Sequence, residues 1–212
     1  MGNGCVADRD GDVASMVPGH YGGAATGVVM GEAAIGAAWN VQGDALGGTL
    51  AADVVRLFGV ALPLVPNTTA RSDALVAFWV GPRSWLLVDG ATSGTPATRA
   101  DFDATRDVLN AGGSAFFDGG ASRLAYTLRG PQVAAVLARG CPLDFHPRTF
   151  VPGHCAQSVF GHANVLIYRH HASDAFTVMV ARSLARDVWR GLCLAATADG
   201  YQVVPRGAFC AA

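Results

Sequence analysis

The sequence predicts an α+β fold of two similar strand–helix–strand–strand–helix halves, and three observations carry that expectation. Leu75–Val80 (LVAFWV) and Trp85–Val88 (WLLV) are short and wholly apolar, the pattern of strands covered on both faces. Segments with apolar residues at helical spacing alternate with such strands along the chain. The order strand, glycine, helix, strands, helix then occurs twice, over 34–111 and again over 123–198, with little residue identity between the copies. Repetition of architecture without a linker argues for one α+β sandwich, not two separate domains.

Taken in order, residues 1–32 are rich in Gly and Ala with few large apolar groups, which predicts a flexible N-terminal arm. The run GGAATGVVMGEAAIG (22–36) lacks a G-x-G-x-x-G after a strand, so it is no dinucleotide loop. Ala34–Val41 suits a strand, followed by the turn Gln42-Gly43-Asp44. Leu50, Val54, Leu57 and Phe58 follow at helical spacing, with Thr49 as N-cap and Gly59 beyond the end. ALPLVPN (61–67) is a proline-punctuated connector, and Gly81-Pro82-Arg83-Ser84 is a turn between the two apolar strands. Thr95-Pro96 opens a helix with Phe102, Thr105 and Leu109 inward, closed by Gly112-Gly113. After a brief strand at 115–117, Arg123–Arg129 alternates cleanly, placing Leu124, Tyr126 and Leu128 toward a core. Gly130-Pro131 starts a helix striped by Val133, Val136 and Leu137 and ending at Gly140. Strands at 157–160, 165–170 and 176–181 form an antiparallel meander. Ser183 caps a last helix that presents Leu184, Val188, Leu192 and Ala196, and beyond Gly200 an irregular tail (201–212) follows. The folded domain is thus expected over 33–200.

Composition narrows the chemistry. Net charge is −1, and all 15 basic residues are arginine. A chain without lysine excludes Schiff-base chemistry and a Walker-type phosphate loop. The arginines are scattered, so there is no footprint for nucleic acid. No run approaches 18 apolar residues, which speaks against a membrane span. Asp8, Arg9, Asp10 and Asp12 near the start do not form a signal peptide. Five widely spaced cysteines, an odd number, then favour reduced thiols and a cytoplasmic setting.

The most unusual stretch is Arg139–Cys155, RGCPLDFHPRTFVPGHC. Pro142, Pro147 and Pro152 stiffen it and push their preceding residues to extended geometry. Its large apolar side chains, Leu143, Phe145 and Phe150, make it too hydrophobic for disorder and predict a surface that something else covers. Cys141, His146, His154, Cys155 and His162 are metal-ligand types, but their spacing matches no zinc pattern. Inert buried thiols are the default for Cys141 and Cys155. Asp144 is expected to bond turn amides. Arg123, beside Ser122 and Asp118, suits either carboxylate recognition or an ion pair that holds a turn. His170-His171 alternate at a strand end and need no function.

At RGCPLDFHPRTFVPGHCAQ the chain resembles the gamma subunit of heterotetrameric sarcosine oxidases, whose pattern runs K/R-G-C-P-L-D-L-H-P-R-x-F-x-P-G-x-C-A-Q. Phe145 stands where that family carries leucine. LPLVPNTTA (62–70), WVGPRSWLL (79–87), SRLAYTLRGPQVAAVLARG (122–140), ANVLIYR (163–169) and FTVMVARSLARDVWRGL (176–192) extend the likeness over 34–198, with Arg83 in place of an acidic residue. The resemblance implies an aminomethyltransferase-like folate-domain fold and an accessory subunit with no catalytic, cofactor-binding or metal residues of its own. It implies alpha, beta and delta partner subunits that hold FAD, FMN, NAD, tetrahydrofolate and zinc. Pro142, Leu143, Asp144, Phe145, His146 and Phe150 are the interface residues expected on this basis. The rivals are the matching subunit of an N-methylglutamate dehydrogenase complex and a free-standing folate-binding aminomethyltransferase-like protein. The latter would need Arg123 or Arg129 on a substrate carboxylate and a catalytic aspartate that the sequence does not identify.

Overall fold

A computed structural model describes residues 17–23, 25–72, 75–90 and 102–209. The chain opens with β1 (Gly19–Tyr21) and β2 (Val28–Ala34). The first half comprises β3 (Ala37–Gln42), α1 (Leu50–Phe58), β4 (Thr69–Arg71), β5 (Leu75–Gly81), β6 (Ser84–Asp89), α2 (Phe102–Ala111) and β7 (Ala115–Asp118). The second comprises β8 (Arg123–Arg129), α3 (Val133–Ala138), β9 (Cys155–Phe160), β10 (Ala163–Arg169), β11 (Phe176–Ala181), α4 (Ala185–Ala196), β12 (Tyr201–Val203) and β13 (Gly207–Ala208).

Strand order shows the duplication directly. The first half forms a five-stranded sheet, β4-β5-β6-β3-β7, and the second, joined by β1 and β2, an eight-stranded sheet, β1-β12-β2-β8-β11-β10-β9, with β13 also on β2. Superposing the orders maps β9-β10-β11-β8 onto β4-β5-β6-β3 and β12 onto β7. The difference is β2, which lies between β8 and β12 where β3 and β7 pair directly. Directions agree, since β7 is antiparallel to β3 while β12 is parallel to β2, itself antiparallel to β8.

Each sheet buries one face under its own helices and the other against its neighbour, giving four layers, α/β/β/α. Leu50, Val54 and Leu109 from α1 and α2 pack on Trp39, Val41, Trp85 and Leu87. Val136, Leu137, Val188 and Leu192 from α3 and α4 pack on Met30, Tyr126, Leu128 and Val178. Between the sheets lie Val76, Phe78, Leu86, Ala125, Leu166, Tyr168, Met179 and Phe209. Two buried ring tips are satisfied: Tyr126 donates to the Ala185 carbonyl (2.8 Å) and Trp85 Nε1 to that of Pro63 (2.7 Å).

Local signals account for most boundaries. Gly59 ends α1 in the left-handed region (φ 66°), with its N–H on the Val55 carbonyl. Thr49 precedes α1 as expected, but its hydroxyl bonds the Asp53 carboxylate and not a free amide. Ser183 falls inside a short 3-10 turn (Arg182–Leu184) and does not cap α4. The Thr95-Pro96 start lies outside the described residues. Two expectations are corrected. The arm foreseen over 1–32 holds β1 and most of β2 from Gly19 onward, residues 1–16 lying outside the described part. The tail foreseen as irregular from 201 supplies β12 and β13. Both segments are held by pairing on the two sides of β2 together with a few large side chains, Met30, Tyr201 and Phe209, that enter the cores. At Gly31 a Cβ would sit 2.8 Å from the Val204 carbonyl oxygen, so only glycine admits the returning tail.

Candidate functional site: a rigid loop joining the two halves

The loop leaves α3 at Arg139, whose guanidinium pairs with Asp199 and donates to the Ala195 carbonyl. Its first anchor is therefore the C-terminal end of α4. Asp144 then organises the turn. Its Oδ1 accepts the His146 N–H (2.8 Å) and its carboxylate the Thr149 hydroxyl, and the backbone bond first and the Thr149 bond second hold its pKa below the ordinary value. The His146 carbonyl accepts the amides of Thr149 (2.8 Å) and Phe150 (2.9 Å), and Arg148 N–H reaches His146 Nδ1 at 3.2 Å. Residues 144–150 are thus a closed hydrogen-bonded knot, and Asp144 takes the turn role expected of it.

That knot directs two rings inward. Phe145 and Phe150 lie 5.6 Å apart by centroid, each 6.0 Å from Phe176, in the core beneath α3 and α4. Arg169 seals the cluster. Its guanidinium stands 5.7 Å over the Phe176 ring and donates to the Phe150 carbonyl (2.8 Å) and to Asp174 (2.9 Å). The expected outward set is therefore split. Phe145 and Phe150 are buried and Leu143 half-buried against the same core, which corrects their reading as a surface for a partner. Only Pro142, Asp144 and His146 remain exposed. Prolines fix φ, but the nearest apolar volume, here that around Phe176, decides which way a ring turns.

The far end of the loop is stitched to the other half. Thr69 N–H and hydroxyl both reach the Gly153 carbonyl (3.0 and 2.8 Å), and Cys155 N–H reaches that of Asn67 (2.8 Å). His171 Nε2 lies 2.9 Å from the Thr69 hydroxyl, its ring packed where a Gly153 side chain would be (2.4 Å from an ideal Cβ), and Gly153 has φ 84°. Glycine is required there on both counts. Gln157 adds a bond from Nε2 to the Val80 carbonyl (2.6 Å). The loop thus braces two sheets.

The other singled-out residues do not converge on a reaction centre. Burial pushes the Cys155 thiol up to about 12, and its sulfur points at the Thr68 and Trp79 carbonyls, the surroundings of an unreactive thiol. Cys141 is also buried, beside the Ser158 hydroxyl (3.5 Å). Among the described residues no three His, Cys, Asp or Glu side chains come together as metal ligands. Arg123 is half-buried with its pKa lowered by desolvation and its Nε without a partner among the described residues. Arg129 sits six residues along the same strand, about 20 Å away, so the two cannot hold one carboxylate together. His170 lies buried on Tyr168, 2.7 Å from the Thr177 hydroxyl. No described helix is long and apolar enough to cross a membrane.

Two surface depressions flank this framework. One, of about 420 Å³, is a mostly apolar groove between the start of the loop, the β9–β10 turn and α4. The other, of about 310 Å³, lies beside β2 and is lined by Thr127, Arg129 and Glu32, the last paired with Arg206 (3.2 Å). Sequence reasoning missed the groove. Its signal in the sequence is Gly191 in the middle of a helix, where glycine costs roughly 1 kcal/mol relative to alanine.

The family profile described as "Sarcosine oxidase, gamma subunit family" matches residues 42–198. The chain is 30% identical over 112 residues to sarcosine oxidase subunit gamma of Corynebacterium sp. (strain U-96), covering 52% of each sequence. It is 29% identical over 123 residues to that of Arthrobacter sp., again covering 52% of each. The chain therefore spans about half the length of the curated relatives it matches. In structure it superposes on a chain of the heterotetrameric sarcosine oxidase from Corynebacterium sp. U-96 in complex with pyrrole 2-carboxylate, with a TM-score of 0.72 at 22% identity. That match covers 84% of this chain and 89% of the other. A glycine cleavage system aminomethyltransferase T from Bartonella henselae aligns with a TM-score of 0.57 at 15% identity, over 86% of this chain and 48% of that one. These two likenesses establish a shared fold, the folate-domain fold that the sequence resemblance implied.

Proposed function

The chain belongs to the sarcosine oxidase gamma subunit family, and on that footing we propose that it is an accessory subunit of a heterotetrameric, flavin-dependent sarcosine oxidase. Alpha, beta and delta subunits would complete the assembly and carry FAD, FMN, NAD, tetrahydrofolate and zinc. In such an assembly sarcosine loses two electrons to a flavin, and its methyl carbon leaves as 5,10-methylenetetrahydrofolate or formaldehyde, with glycine and hydrogen peroxide as the other products. The work of this chain is mechanical: it presents a rigid surface that fixes its partners' relative positions. A cytoplasmic setting accords with free, buried Cys141, Cys155 and Cys193.

The observation that carries this reading is the family match across 42–198, which takes in the whole braced loop. Of the six residues expected at an interface, Pro142, Asp144 and His146 are exposed and offered to a partner, held by the hydrogen bonds around Asp144. A surface fixed in advance loses little conformational entropy on docking.

The test is turnover. The native assembly containing this chain should release hydrogen peroxide from sarcosine, while the isolated chain is colourless and inert. Oxidation of N-methylglutamate in place of sarcosine would assign it to the N-methylglutamate dehydrogenase type. Folate-dependent methylene transfer by the isolated chain would overturn the accessory role.

A further inference from the structure

We propose that the cavity beside β2 is a binding site for a small organic carboxylate, with Arg129 as its anchor. Strand register sets the geometry. Val29 lies directly opposite Arg129 and Gly31 opposite Thr127, so these four residues share one face of the sheet, the face whose Ala33 and Ala125 enter the layer between the sheets. The alternate residues, Met30, Tyr126 and Leu128, face the helices. Between β12 and β13 the tail passes over the first face. The Val204 carbonyl oxygen and Cγ2 stand 2.8 and 3.0 Å from an ideal Cβ on Gly31, and the Pro205 carbonyl oxygen 3.4 Å. Between tail and sheet lies the cavity of about 310 Å³, at the small end of ligand sites, with mostly apolar walls that include Val29, Val204 and Pro205.

Charge selects the ligand. Two charged residues border the cavity, Arg129 and Glu32. Glu32 lies opposite Tyr126, so its side chain takes the helix-facing side, and there it pairs with Arg206 (3.2 Å). Arg129 takes the cavity side, exposed at the end of β8. A guanidinium has five N–H donors, so it holds a carboxylate through two of them and keeps its other contacts. The surrounding field favours an anion. Beyond burial, the groups that act most on His170 are Arg129, Arg71 and His171, all basic, with Arg71 reaching the ring from the other sheet. Thr127 supplies a second donor. It lines the cavity, and its hydroxyl is buried with no hydrogen-bond partner among the described residues; rotation about χ1 turns it to a carboxylate oxygen. An inorganic anion would leave the apolar walls unfilled, and a cation would meet the guanidinium. A carboxylate on a short apolar body satisfies both features.

The test uses the full chain as purified from its own cells, with whatever partners it carries, and 4,4-azipentanoate, a short carboxylate bearing a photoreactive diazirine. After irradiation, peptide mass spectrometry should find the label on residues 29–32 or 204–207. Because the site is read on this chain's own peptides, a carboxylate site on a partner does not interfere and the outcome is independent of the subunit reading. Excess butyrate should suppress that label by about tenfold or more, whereas 1-butanol, butylammonium and phosphate should change it less than about twofold. Arg129→Gln should lower the label by about tenfold or more, since a neutral amide loses the charge-assisted pair, and Thr127→Val by about threefold. The competition arms need no variant, so the site is tested even if a variant fails to fold. Label absent from those residues, or undiminished in folded Arg129→Gln, overturns the site. Suppression by 1-butanol or by phosphate equal to that by butyrate overturns the carboxylate assignment.

Discussion

His170 shows what the interior does to a single side chain. Burial above all, and then the charges of Arg129, Arg71 and His171, lower its pKa from 6.5 to about 4. The folded protein therefore keeps the ring neutral where the unfolded chain would protonate it. Its stabilising contribution is whole above pH 6.5 and is lost as the pH falls from 6.5 toward 4; the shift corresponds to roughly 3 kcal/mol. The His171 pKa is lowered in the same direction, by burial and then by Arg71. A His170→Gln variant keeps a hydrogen-bonding group near Thr177 but cannot titrate. Urea unfolding at pH 7 and pH 4.5 should show a clearly smaller loss of stability for that variant; equal losses would mean that His170 does not govern the acid limb. The sequence placed His170 at a strand end and asked nothing of it, because the two arginines that act on it come from β4 and β8, far away in the chain.

At the scale of elements, the loop separates what local sequence determines from what it does not. Its stiffness and the Asp144 turn were legible, because proline geometry and Asx hydrogen bonding act over a few residues. The inward turn of Phe145 and Phe150 was not, because Phe176 and Arg169 create that pocket from other strands. Replacing Phe145 or Phe150 by alanine should cost about 3–5 kcal/mol in urea unfolding, as for any large ring removed from a packed core. His146→Ala, at an exposed position, should shift stability by less than about 1 kcal/mol and act on assembly instead. A Phe145→Ala chain as stable as the original would contradict the internal packing. The strands 75–80 and 85–88, the 157–181 meander and the Gly59 stop were all legible too, since each rests on neighbouring residues alone.

At the scale of the whole molecule, the duplicated order of elements was readable, but the insertion of β2 was not. Val28–Ala34 carries two alanines and a glycine, and its place is set by backbone pairing with β8 on one side and β12 and β13 on the other. No periodicity in the sequence reports such pairing. A chain beginning at Ala33 loses β1 and nearly all of β2, exposing the edge of β8 and leaving β12 without its partner. It should show no cooperative thermal transition by circular dichroism, whereas a melt like that of the full chain would restore the arm first expected there. The same framework bears on function, for four layers clamped by the 139–155 loop make a stiff body suited to holding others in register. The measurement that tests this most directly is native mass spectrometry, with an absorption spectrum, of the chain purified from its own cells. The account predicts one copy of this chain with three different polypeptides and flavin absorbance. A colourless, monomeric chain that binds tetrahydrofolate by itself would contradict it.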